Sequence, residues 1–386
     1  MKVLQLGKFY PIRGGVEKVM WDLTRGLGER GIDCDMLCAT RRNDGIDAEH
    51  LPLFRKEGKT GILQVNAYAR VLMVRAWFKA AATMISPAMI FWLRKHRKEY
   101  DIIHIHHPDP MACLALFLSG YKGRVILHWH SDILSQKFFL AFYKPLQSWM
   151  IRRAECIIGT TPVYLRKSPC LQHVQDKTAV VPIGIEPVRF NPEEAARIRA
   201  RYAGKKIVFS LGRLIPYKGF SYLATAAKYL GPDYQIVIGG SGPLQENLQA
   251  EIEALDLQEH VQLLGYVEDR EVPALYGACD IFVLSSIMKT EAFGIVQIEA
   301  MSCGKPVVGT EIPESGVSWV NKHGISGLNV PVCNPEALAN AIQEICEVPE
   351  HYSAFSEGAI DRFRKHFTFD SMIEETIKIY QHEKTY

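Results

Sequence analysis

Short apolar runs alternate with longer segments of mixed polarity along the whole chain. The apolar runs are residues 2–7, 33–39, 101–107, 124–130, 155–160 and 179–184, followed by 206–212, 234–240, 261–266, 279–285 and 306–310. Near-continuous apolar runs of this length are typical of strands that are buried on both faces, and their alternation with helix-length segments indicates parallel sheets. The pattern therefore predicts an α/β protein.

The alternation is interrupted once, near the middle of the chain. The segment VPIGIEPVRFNPEE (181–194) contains three prolines, and the strand–helix rhythm restarts after it. A chain of 386 residues is also too long for one ordinary core. We predict two Rossmann-like domains, residues 1–190 and 191–366, whose parallel sheets face a central cleft. We expect the segment 367–386 to form a terminal helix that returns to the first domain.

Composition narrows the class of protein. The chain is 48% apolar and 23% charged, as soluble globular proteins are. Its net charge of +3 is too small to predict a nucleic-acid partner. The nine cysteines include no C-x-x-C pair, which favours reduced thiols and a cytoplasmic location. The longest uncharged stretch, residues 80–93, is shorter than the roughly 20 residues that a membrane-spanning helix needs.

The glycine pattern excludes several enzyme classes. The first strand is not followed by G-x-G-x-x-G, which argues against a dehydrogenase, and the chain contains no P-loop, G-x-S-x-G or H-E-x-x-H motif. Gly14 and Gly15 precede a predicted helix. Such a turn lets backbone N–H groups approach an anion, although a plain strand–helix turn has the same pattern. The two interpretations of this turn are equally supported.

A basic pair follows the first strand of the predicted second domain. Arg213 and Lys218 lie in the turn-rich segment SLGRLIPYKGF (210–220). This position corresponds to the carboxyl edge of the sheet, where open α/β folds bind ligands. An arginine that binds bidentately and a lysine that adds a point charge suit a diphosphate. The alternative is a solvated basic loop.

An acidic pair flanks a predicted helix start farther along the chain. Glu291 lies in the loop after a strand, and Glu299 lies about 1.5 turns into a helix that should begin near Gly294. The two carboxylates can accept hydrogen bonds from two different sugars, while free N–H groups from Phe293 to Ile295 point at an anion between them. A nucleotide sugar has this layout of hexose, diphosphate and ribose. The alternative is two surface glutamates.

Several motifs together resemble a known family. They are GGVEK (14–18), HWH (128–130), GRLIPYKG (212–219), GSGP (240–243), LGYV (264–267) and EAFGIVQIEAMSCGKPVVGT (291–310). Over nearly the whole chain, this combination resembles the retaining glycosyltransferases of the GT-B fold, family 4, which share an E-x7-E motif. The last motif is the most specific, and the Gly-Gly turn is the least.

The resemblance implies a role for each matching residue. Glu291 would hold hydroxyls of the transferred sugar, and Glu299 those of the ribose. Arg213 and Lys218 would bind the diphosphate and stabilise the leaving group. Backbone amides of Phe293, Gly294 and Ile295 would contact the donor, and Gly14 and Gly15 would bring amides of the first domain to its phosphate. His130 would lie near the transferred sugar. Tyr266 and Val267 would line the pocket of the base. The stretch SIMKT before Glu291 departs from the short Pro-Ser form that is common in the family.

The same resemblance implies the reaction. We expect a metal-independent hexosyltransferase that needs no cofactor and retains the anomeric configuration. The favoured donor is GDP-mannose, and a UDP-hexose is a close alternative. The acceptor would be a glycan or lipid-linked glycan of lipopolysaccharide O-antigen synthesis. Three less favoured functions remain open. The first is a nucleotide-sugar epimerase, although the E-x7-E motif argues against it, and the second is a phosphorylase, although no pyridoxal-binding lysine motif is present. The third is a non-catalytic protein that binds a nucleotide sugar.

A second histidine-rich segment, DIIHIHHPDP (101–110), ends another predicted strand. Strand alternation places His104 and His106 on one face and His107 on the other. No cysteine or second histidine pair lies nearby in the sequence, so we do not predict a metal site. We expect His106 or His107, together with Asp109, to face the acceptor side of the cleft.

Residues 61–100 are strongly basic, with aromatic residues interleaved. A basic amphipathic surface of this kind suits an anionic membrane, which would make the protein peripheral on the inner face of the cytoplasmic membrane. A helix that packs its apolar side on the first domain and exposes its basic side is equally consistent with the composition.

Overall fold

The structure is a computed structural model that describes residues 1–12, 15–41, 54–80, 83–133 and 137–382. Its contacts divide the chain into two units. The first unit comprises Met1–Ile183 together with Phe369–Tyr386, and the second comprises Gly184–Thr368.

The first unit is built on a nine-stranded sheet with the order β11-β10-β9-β8-β1-β2-β5-β4-β3. The strands from β11 to β5 in this order are parallel, whereas β4 and β3 continue the edge antiparallel. The strands of this unit, including a separate β6–β7 hairpin, are β1 (Lys2–Phe9), β2 (Asp33–Thr40), β3 (Phe54–Glu57), β4 (Thr60–Gln64), β5 (Ala69–Arg75), β6 (Phe78–Ala80), β7 (Thr83–Ile85), β8 (Ile102–His107), β9 (Arg124–Trp129), β10 (Cys156–Gly159) and β11 (Thr178–Val180).

Helices pack against this sheet in the order typical of a Rossmann-like domain. They are α1 (Gly15–Glu29), α2 (Pro87–His96), α3 (Pro110–Ser119), α4 (Lys137–Arg153), α5 (Pro162–Lys167) and, from the end of the chain, α14 (Phe369–Tyr380). The central strands are apolar because both of their faces are covered. In β1, Val3, Leu4 and Leu6 have no exposed surface.

The second unit has a six-stranded parallel sheet with the order β14-β13-β12-β15-β16-β17. Its strands are β12 (Lys206–Leu211), β13 (Tyr234–Gly239), β14 (Val261–Gly265), β15 (Ile281–Leu284), β16 (Val307–Glu311) and β17 (Gly327–Pro331). Its helices are α6 (Pro192–Arg201), α7 (Phe220–Ala226), α8 (Gln245–Ala254), α9 (Val272–Ala278), α10 (Ile295–Ser302), α11 (Val317–Val320), α12 (Pro335–Glu347) and α13 (Pro349–His366).

The predicted fold class is confirmed: each unit is an α/β domain with a mainly parallel sheet, and every apolar run named above overlaps a strand. The units divide after Ile183, earlier than residue 190. The segment that follows belongs to the second unit because Ile185 N donates to Phe367 O at 2.9 Å and Val188 N donates to Ser302 Oγ at 3.1 Å. These bonds tie the proline-rich segment to α10 and to the end of α13.

The terminal helix α14 is part of the first unit. It packs beside α1, where Arg30 pairs with Asp370 at 2.5 Å. Arg124 at the start of β9 donates to Tyr380 O at 2.6 Å. The helix α14 is therefore attached beside α1 and at the start of β9.

Residues 61–100 do not form one amphipathic helix. They contain β4 to β7, and among the described residues of this segment only α2 and a short 3-10 turn after it are helical. The alternative of a single packed helix fails because β5 extends the sheet beside β2, with Cys34 opposite Ala69 and Thr40 opposite Arg75. In the part of the chain that the structure describes, we find no helix whose length and hydropathy would let it cross a membrane.

Candidate functional site

The basic loop of the second unit follows β12 and ends in a 3-10 turn at Pro216–Lys218. Gly219 closes this turn with a φ of 65°, a conformation that side chains disfavour. A Cβ atom at Gly219 would lie only 2.2 Å from Ser285 O, just after β15. Ser285 Oγ in turn donates to Lys218 O at 3.0 Å. The glycine therefore allows the basic loop to lie directly on the segment that follows β15.

That packing brings together two of the predicted site residues. Lys218 Nζ lies 2.5 Å from Glu291 Oε2, and the side chain of each is only 12% exposed. Ser286 Oγ donates to the same carboxylate oxygen at 3.1 Å, and Ser315 Oγ donates to Glu291 O at 2.5 Å. The predicted cation for the diphosphate and the predicted carboxylate for the sugar thus form one nearly buried ion pair.

Arg213 lies in the same loop but differs from Lys218 in its surroundings. Arg213 is exposed, and its guanidinium has no hydrogen-bond or ion-pair partner among the residues that the structure describes. The neighbouring backbone is firmly held, because Leu214 N donates to Ser241 O at 3.0 Å. Arg213 is therefore an accessible cation on a rigid loop at the carboxyl edge of the sheet, as the sequence predicts.

Helix α10 starts where the sequence predicts. Gly294 precedes it with a φ of 74°, and the helix runs from Ile295 to Ser302. Phe293 is buried, and its ring meets Phe367 edge-on at 5.9 Å between centroids. The N–H groups from Phe293 to Ile295 donate to no acceptor in the described part of the chain. Unpaired N–H groups at a helix start attract an anion, as the predicted diphosphate contact requires.

Glu299 lies on α10 and is partly buried. Tyr276, from α9, has no exposed surface and donates its hydroxyl to Glu299 Oε2 at 2.7 Å. Burial, and then the charge of Glu299, raise the pKa of Tyr276 well above its usual value, so that its hydroxyl keeps its proton. The tyrosine orients the carboxylate that we predict to bind the ribose.

Tyr266 and Val267 follow β14 and line a cavity of about 550 Å³. Tyr266 is 73% exposed. The wall of this cavity also contains Arg197 and Ala274, but neither the Lys218–Glu291 pair nor Glu299. Val267 also approaches the end of β13, because a Cβ at Gly239 would lie 3.0 Å from Val267 Cγ2. The role of Tyr266 and Val267 in binding a base stays a prediction.

In the first unit, the Gly-Gly turn is described in part. Gly15 is the first residue of α1 and is exposed. Gly14 lies outside the described residues. A phosphate contact at this turn stays a prediction.

His130 directly follows β9 and is 6% exposed. Its Nε2 lies 2.9 Å from His106 Nδ1. Burial, followed by the neighbouring His128 and Lys8, lowers its pKa well below the usual value. The imidazole is therefore neutral near pH 7, where it can form hydrogen bonds but carries no charge.

The expectation that His106 or His107, together with Asp109, faces the acceptor side of the cleft is wrong. His106 and His107 have no exposed surface, and Asp109 is 8% exposed. Asp109 caps α3 by accepting from Met111 N at 3.0 Å and from Ala112 N. These residues are buried because β8 is a central strand of the sheet and α3 starts immediately after it.

His107 has a structural role beside His130. Its ring stacks on Trp129 at 3.8 Å between centroids, and burial lowers its pKa to about 3. Gln147 Nε2 donates to His107 Nε2 at 3.0 Å, so His107 Nδ1 carries the proton and donates to Ser131 O at 3.1 Å. These bonds hold the backbone just after His130.

A second histidine pair, which is distant from residues 104–107 in the sequence, lies next to them in the sheet. β8 and β9 are neighbours in the sheet, and His106 is directly opposite His128. The HWH motif therefore supplies a second pair on the same face. The sequence contained both H-x-H patterns, but their proximity depends on strand order.

Two further residues were not singled out from the sequence. Lys8 follows the first apolar run, and its Nζ donates to Pro108 O at 2.6 Å. Its charge contributes to the low pKa values of His106 and His130, so it lies near them at the carboxyl edge. Tyr276 is the second residue that was not singled out, because an isolated tyrosine in a helix forms no recognisable sequence motif.

Comparison with known families agrees with this division of the chain. Residues 13–189 match the family model described as Glycosyltransferase Family 4. Residues 192–362 match the model described as Glycosyl transferases group 1. Each model thus covers most of one of the two units.

Two relatives and one solved structure match nearly the whole chain. The chain is 29% identical to O-antigen chain mannosyltransferase C of Escherichia coli, covering 98% of both chains. It is 31% identical to D-rhamnosyltransferase WbpZ of Pseudomonas aeruginosa, covering 95% of this chain and 92% of that one. The crystal structure of Anabaena Alr3699/HepE in complex with UDP matches with a TM-score of 0.79 and 21% identity, covering 99% of this chain and 100% of that one. On the sequence matches and the fold together, the chain belongs to the family 4 glycosyltransferases and has the GT-B fold.

Proposed function

We propose that the protein transfers a hexose from a nucleotide diphosphate sugar to a glycan or lipid-linked glycan, with retention of anomeric configuration and without a metal ion. The observation that carries this proposal is the Lys218–Glu291 pair at the carboxyl edge of the second sheet, with Arg213 accessible in the same loop. One carboxylate and two cations suit the hydroxyls of a sugar beside a diphosphate.

The chemistry follows from these charges. When the glycosidic bond to the diphosphate breaks, negative charge develops on the leaving oxygen. Lys218 has three N–H donors, of which the Glu291 contact uses one, and Arg213 has a planar fork of donors. Cations that are already oriented stabilise the developing charge without reorganisation. Arg213 and Lys218 therefore supply charge that a bound Mg²⁺ would otherwise provide.

Glu291 has a positioning role in this proposal. Its Oε2 is held by Lys218 and Ser286, and its Oε1 is left to accept a hydrogen bond from a sugar hydroxyl. The backbone on both sides is fixed by Ser315 and by α10. We propose that Glu299, oriented by Tyr276, accepts hydrogen bonds from the ribose in the same way.

The donor is proposed to be GDP-mannose. The relatives that cover nearly the whole chain are named for mannosyl and D-rhamnosyl transfer. D-rhamnose is 6-deoxy-D-mannose, so both sugars share the configuration at C2. The main competing donor is a UDP-hexose, because the solved structure named above contains UDP.

A thermal-shift panel of GDP, UDP, ADP and CDP tests the base. A ligand at 100 times its Kd stabilises a protein by about 2.7 kcal/mol, so the preferred nucleotide should give the largest increase in unfolding temperature. We expect GDP to do so. A larger shift with UDP would replace GDP-mannose by a UDP-hexose, and no shift with any nucleotide would contradict a nucleotide-sugar donor.

Turnover tests the reaction itself. GDP-mannose incubated with the protein and a lipid-linked glycan fraction should release GDP and extend the glycan, and NMR of the new linkage should show the α configuration of the donor. The rate should be unchanged by a chelator such as EDTA. Isomerised free donor would indicate an epimerase, an inverted linkage would contradict retention, and loss of activity in EDTA would contradict metal independence.

We further propose that the first unit docks on an anionic membrane surface, where a lipid-linked acceptor lies. Trp77 is 69% exposed, Phe78 is 52% exposed and Phe91 is 71% exposed. Arg94 and Lys95 on α2 are exposed as well. Exposed aromatic side chains next to lysine and arginine suit insertion at a lipid headgroup region.

A further inference from the structure

Four buried histidines form a ladder on one face of the first sheet. His104 and His106 come from β8, and His128 and His130 come from β9 and the position directly after it. Adjacent rings stack, with centroids 4.7 Å apart for His104 and His106, 5.1 Å for His106 and His128, and 4.0 Å for His128 and His130. The ladder connects the interior of the sheet with His130 at its carboxyl edge.

A directional chain of hydrogen bonds runs through part of this ladder. Gln5, a fully buried residue of β1, points its Oε1 at His106 Nε2, 2.7 Å away. The other His106 nitrogen, Nδ1, lies 2.9 Å from His130 Nε2. Gln5 Nε2 donates to Tyr380 OH of α14 at 3.1 Å, and the same hydroxyl lies 2.6 Å from His104 Nδ1.

This chain determines which nitrogen of each imidazole carries the proton. An amide oxygen only accepts, so His106 Nε2 must be the donor in its bond to Gln5. A neutral His106 then has a lone pair at Nδ1, and that lone pair must accept a proton from His130 Nε2. With its proton on Nε2, a neutral His130 has an unprotonated Nδ1.

Both rings are neutral near pH 7. Burial lowers the pKa of His106 and of His130 well below the usual value, and the neighbouring imidazoles and Lys8 lower it further. The neutrality matters because a doubly protonated His106 would donate from both nitrogens and would reverse the bond to His130. The ladder therefore maintains one arrangement of protons.

We propose that Gln5 and His106 are positioning residues that fix the tautomer of His130, so that His130 Nδ1 accepts a hydrogen bond from a hydroxyl of the sugar substrate. This inference rests on the proposed function. Nδ1 has no partner among the described residues, and His130 keeps a small exposed fraction at the end of β9. A lone pair there binds a hydroxyl and repels a phosphate oxygen, which also only accepts. His130 is thereby selective for the sugar moiety of the donor or acceptor over its phosphate groups.

A metal site is the competing explanation of the ladder. Nitrogen atoms of His104, His106 and His128 lie within 4.8 Å of one another. However, both nitrogens of His106 are already used by Gln5 and His130. The three rings are also stacked with interplanar angles of 12° to 25°, so their lone pairs run side by side instead of converging on one point. The geometry favours the hydrogen-bonded chain.

The test is long-range ¹H–¹⁵N NMR of protein labelled with ¹⁵N-histidine, which distinguishes protonated from unprotonated ring nitrogens. His130→Gln identifies the His130 signals by their loss. In the unsubstituted protein without substrate we expect His130 Nε2 to be protonated and Nδ1 to be unprotonated. A protonated Nδ1 in that sample, or a stoichiometric zinc ion bound to the ladder in purified protein, would overturn the proposal.

Three variants test the chain itself. Gln5→Leu removes the acceptor for His106, so a fraction of His130 should switch to the opposite tautomer. His106→Asn keeps an acceptor near the position of Nδ1, so the tautomer of His130 should be preserved. His128→Phe is the matched control, because His128 stacks on His130 without hydrogen-bonding it, and the tautomer should be unchanged. An unchanged tautomer in Gln5→Leu would contradict the role of Gln5.

Activity provides a second measurement. Loss of one neutral hydrogen bond corresponds to about 1 kcal/mol, so Gln5→Leu should lower kcat/KM by about 5-fold or more, and His106→Asn should retain most of it. The tautomers are measured without substrate. The expected NMR pattern with no sugar transfer would contradict only the proposed function, whereas sugar transfer with a protonated Nδ1 would contradict only this inference.

Discussion

At the scale of single residues, the Lys218–Glu291 pair holds two opposite charges in fixed positions. Each side chain is 12% exposed, so each desolvated charge is compensated mainly by the other. In the proposed function, a diphosphate at Lys218 would offer it additional acceptors and would leave Glu291 oriented toward the sugar. The pair is therefore arranged before the donor arrives, which is the condition for electrostatic stabilisation of a leaving group.

Substitution of Lys218 should mainly affect the chemical step. Lys218→Ala should lower kcat by about 10²-fold or more, as the removal of one charge-stabilising donor does elsewhere. The matched control is Lys205→Ala, whose ammonium bonds Gln235 and Glu259 O at the amino end of β12. Steady-state kinetics of both variants checks this. Near-normal turnover in Lys218→Ala would refute a leaving-group role.

Glu299 should behave differently, because its proposed contact is with the ribose in both the ground and transition states. Loss of hydrogen bonds to a charged group costs about 1.5–3 kcal/mol, so Glu299→Ala should raise KM for the donor by roughly 10- to 100-fold with little change in kcat. Tyr276→Phe keeps the carboxylate but removes its 2.7 Å donor, and a smaller increase in KM is expected. A kcat defect at unchanged KM in Glu299→Ala would contradict the ribose assignment.

The sequence was informative about residues whose role follows from local position. Arg213 and Lys218 were placed at the carboxyl edge because they follow a strand directly, and Glu299 was placed inside a helix that does begin after Gly294. The ion pair between Lys218 and Glu291 was not predictable, since it depends on β12 and β15 being neighbours. The histidine ladder was missed for the same reason. Contacts that require strand order are not encoded in spacing along one strand.

At the scale of elements, the start of α10 combines a backbone and a packing constraint. Gly294 has a φ of 74°, and a Cβ there would lie 2.7 Å from Leu284 Cδ2 and 2.8 Å from Gln297 Nε2. A residue with a side chain would have to change the turn between β15 and α10. That turn positions Glu291 and the N–H groups that precede the helix.

Gly294→Ala should therefore destabilise the second unit. A strained backbone conformation costs about 1–3 kcal/mol, and the contacts with Leu284 and Gln297 add to this. Gly231→Ala is the control, because a Cβ at Gly231 would meet no atom within 4 Å and its φ is not positive. Thermal denaturation of both variants should show a lower unfolding temperature for Gly294→Ala only. Equal unfolding temperatures would mean that α10 begins without strain.

Some helices and strands were easier to predict from their composition than others. The central strands were recognised because burial on both faces makes them continuously apolar. The edge strands β3 and β4 were missed, since residues 54–64 mix lysines, a glutamate and glycines with few apolar positions. β5 was not recognised as a strand, because its arginines placed it in the basic segment 61–100. Arg70 in fact pairs with the buried Asp35 at 2.8 Å.

At the scale of the whole molecule, several neighbouring elements of the first unit expose apolar or basic side chains. In addition to Trp77, Phe78 and Phe91, the helix α3 exposes Phe117 (48%) and Leu118 (45%), and α3 packs against α2. Aromatic and aliphatic side chains in solvent cost free energy unless a surface covers them. In the proposed membrane contact, the basic neighbours would favour an anionic surface.

We therefore expect the full-length protein to bind vesicles that contain phosphatidylglycerol and not vesicles of phosphatidylcholine alone, and to be released by high salt. Near an anionic surface each lysine or arginine contributes about 1 kcal/mol, so Arg94→Glu should weaken partitioning by about 5-fold or more. Phe91→Ser should weaken it as well, but with an unchanged salt dependence, because that side chain contributes through apolar burial.

The control for both variants is Lys228→Glu, an exposed charge reversal on the second unit, which should bind vesicles as the unsubstituted protein does. Cosedimentation with vesicles over a series of salt concentrations separates the two contributions. Equal losses in Lys228→Glu and Arg94→Glu would mean that net charge, and not this surface, attracts the protein. Indifference to lipid composition would leave the aromatic side chains of α2 and β6 without a membrane partner and would favour a soluble glycan acceptor.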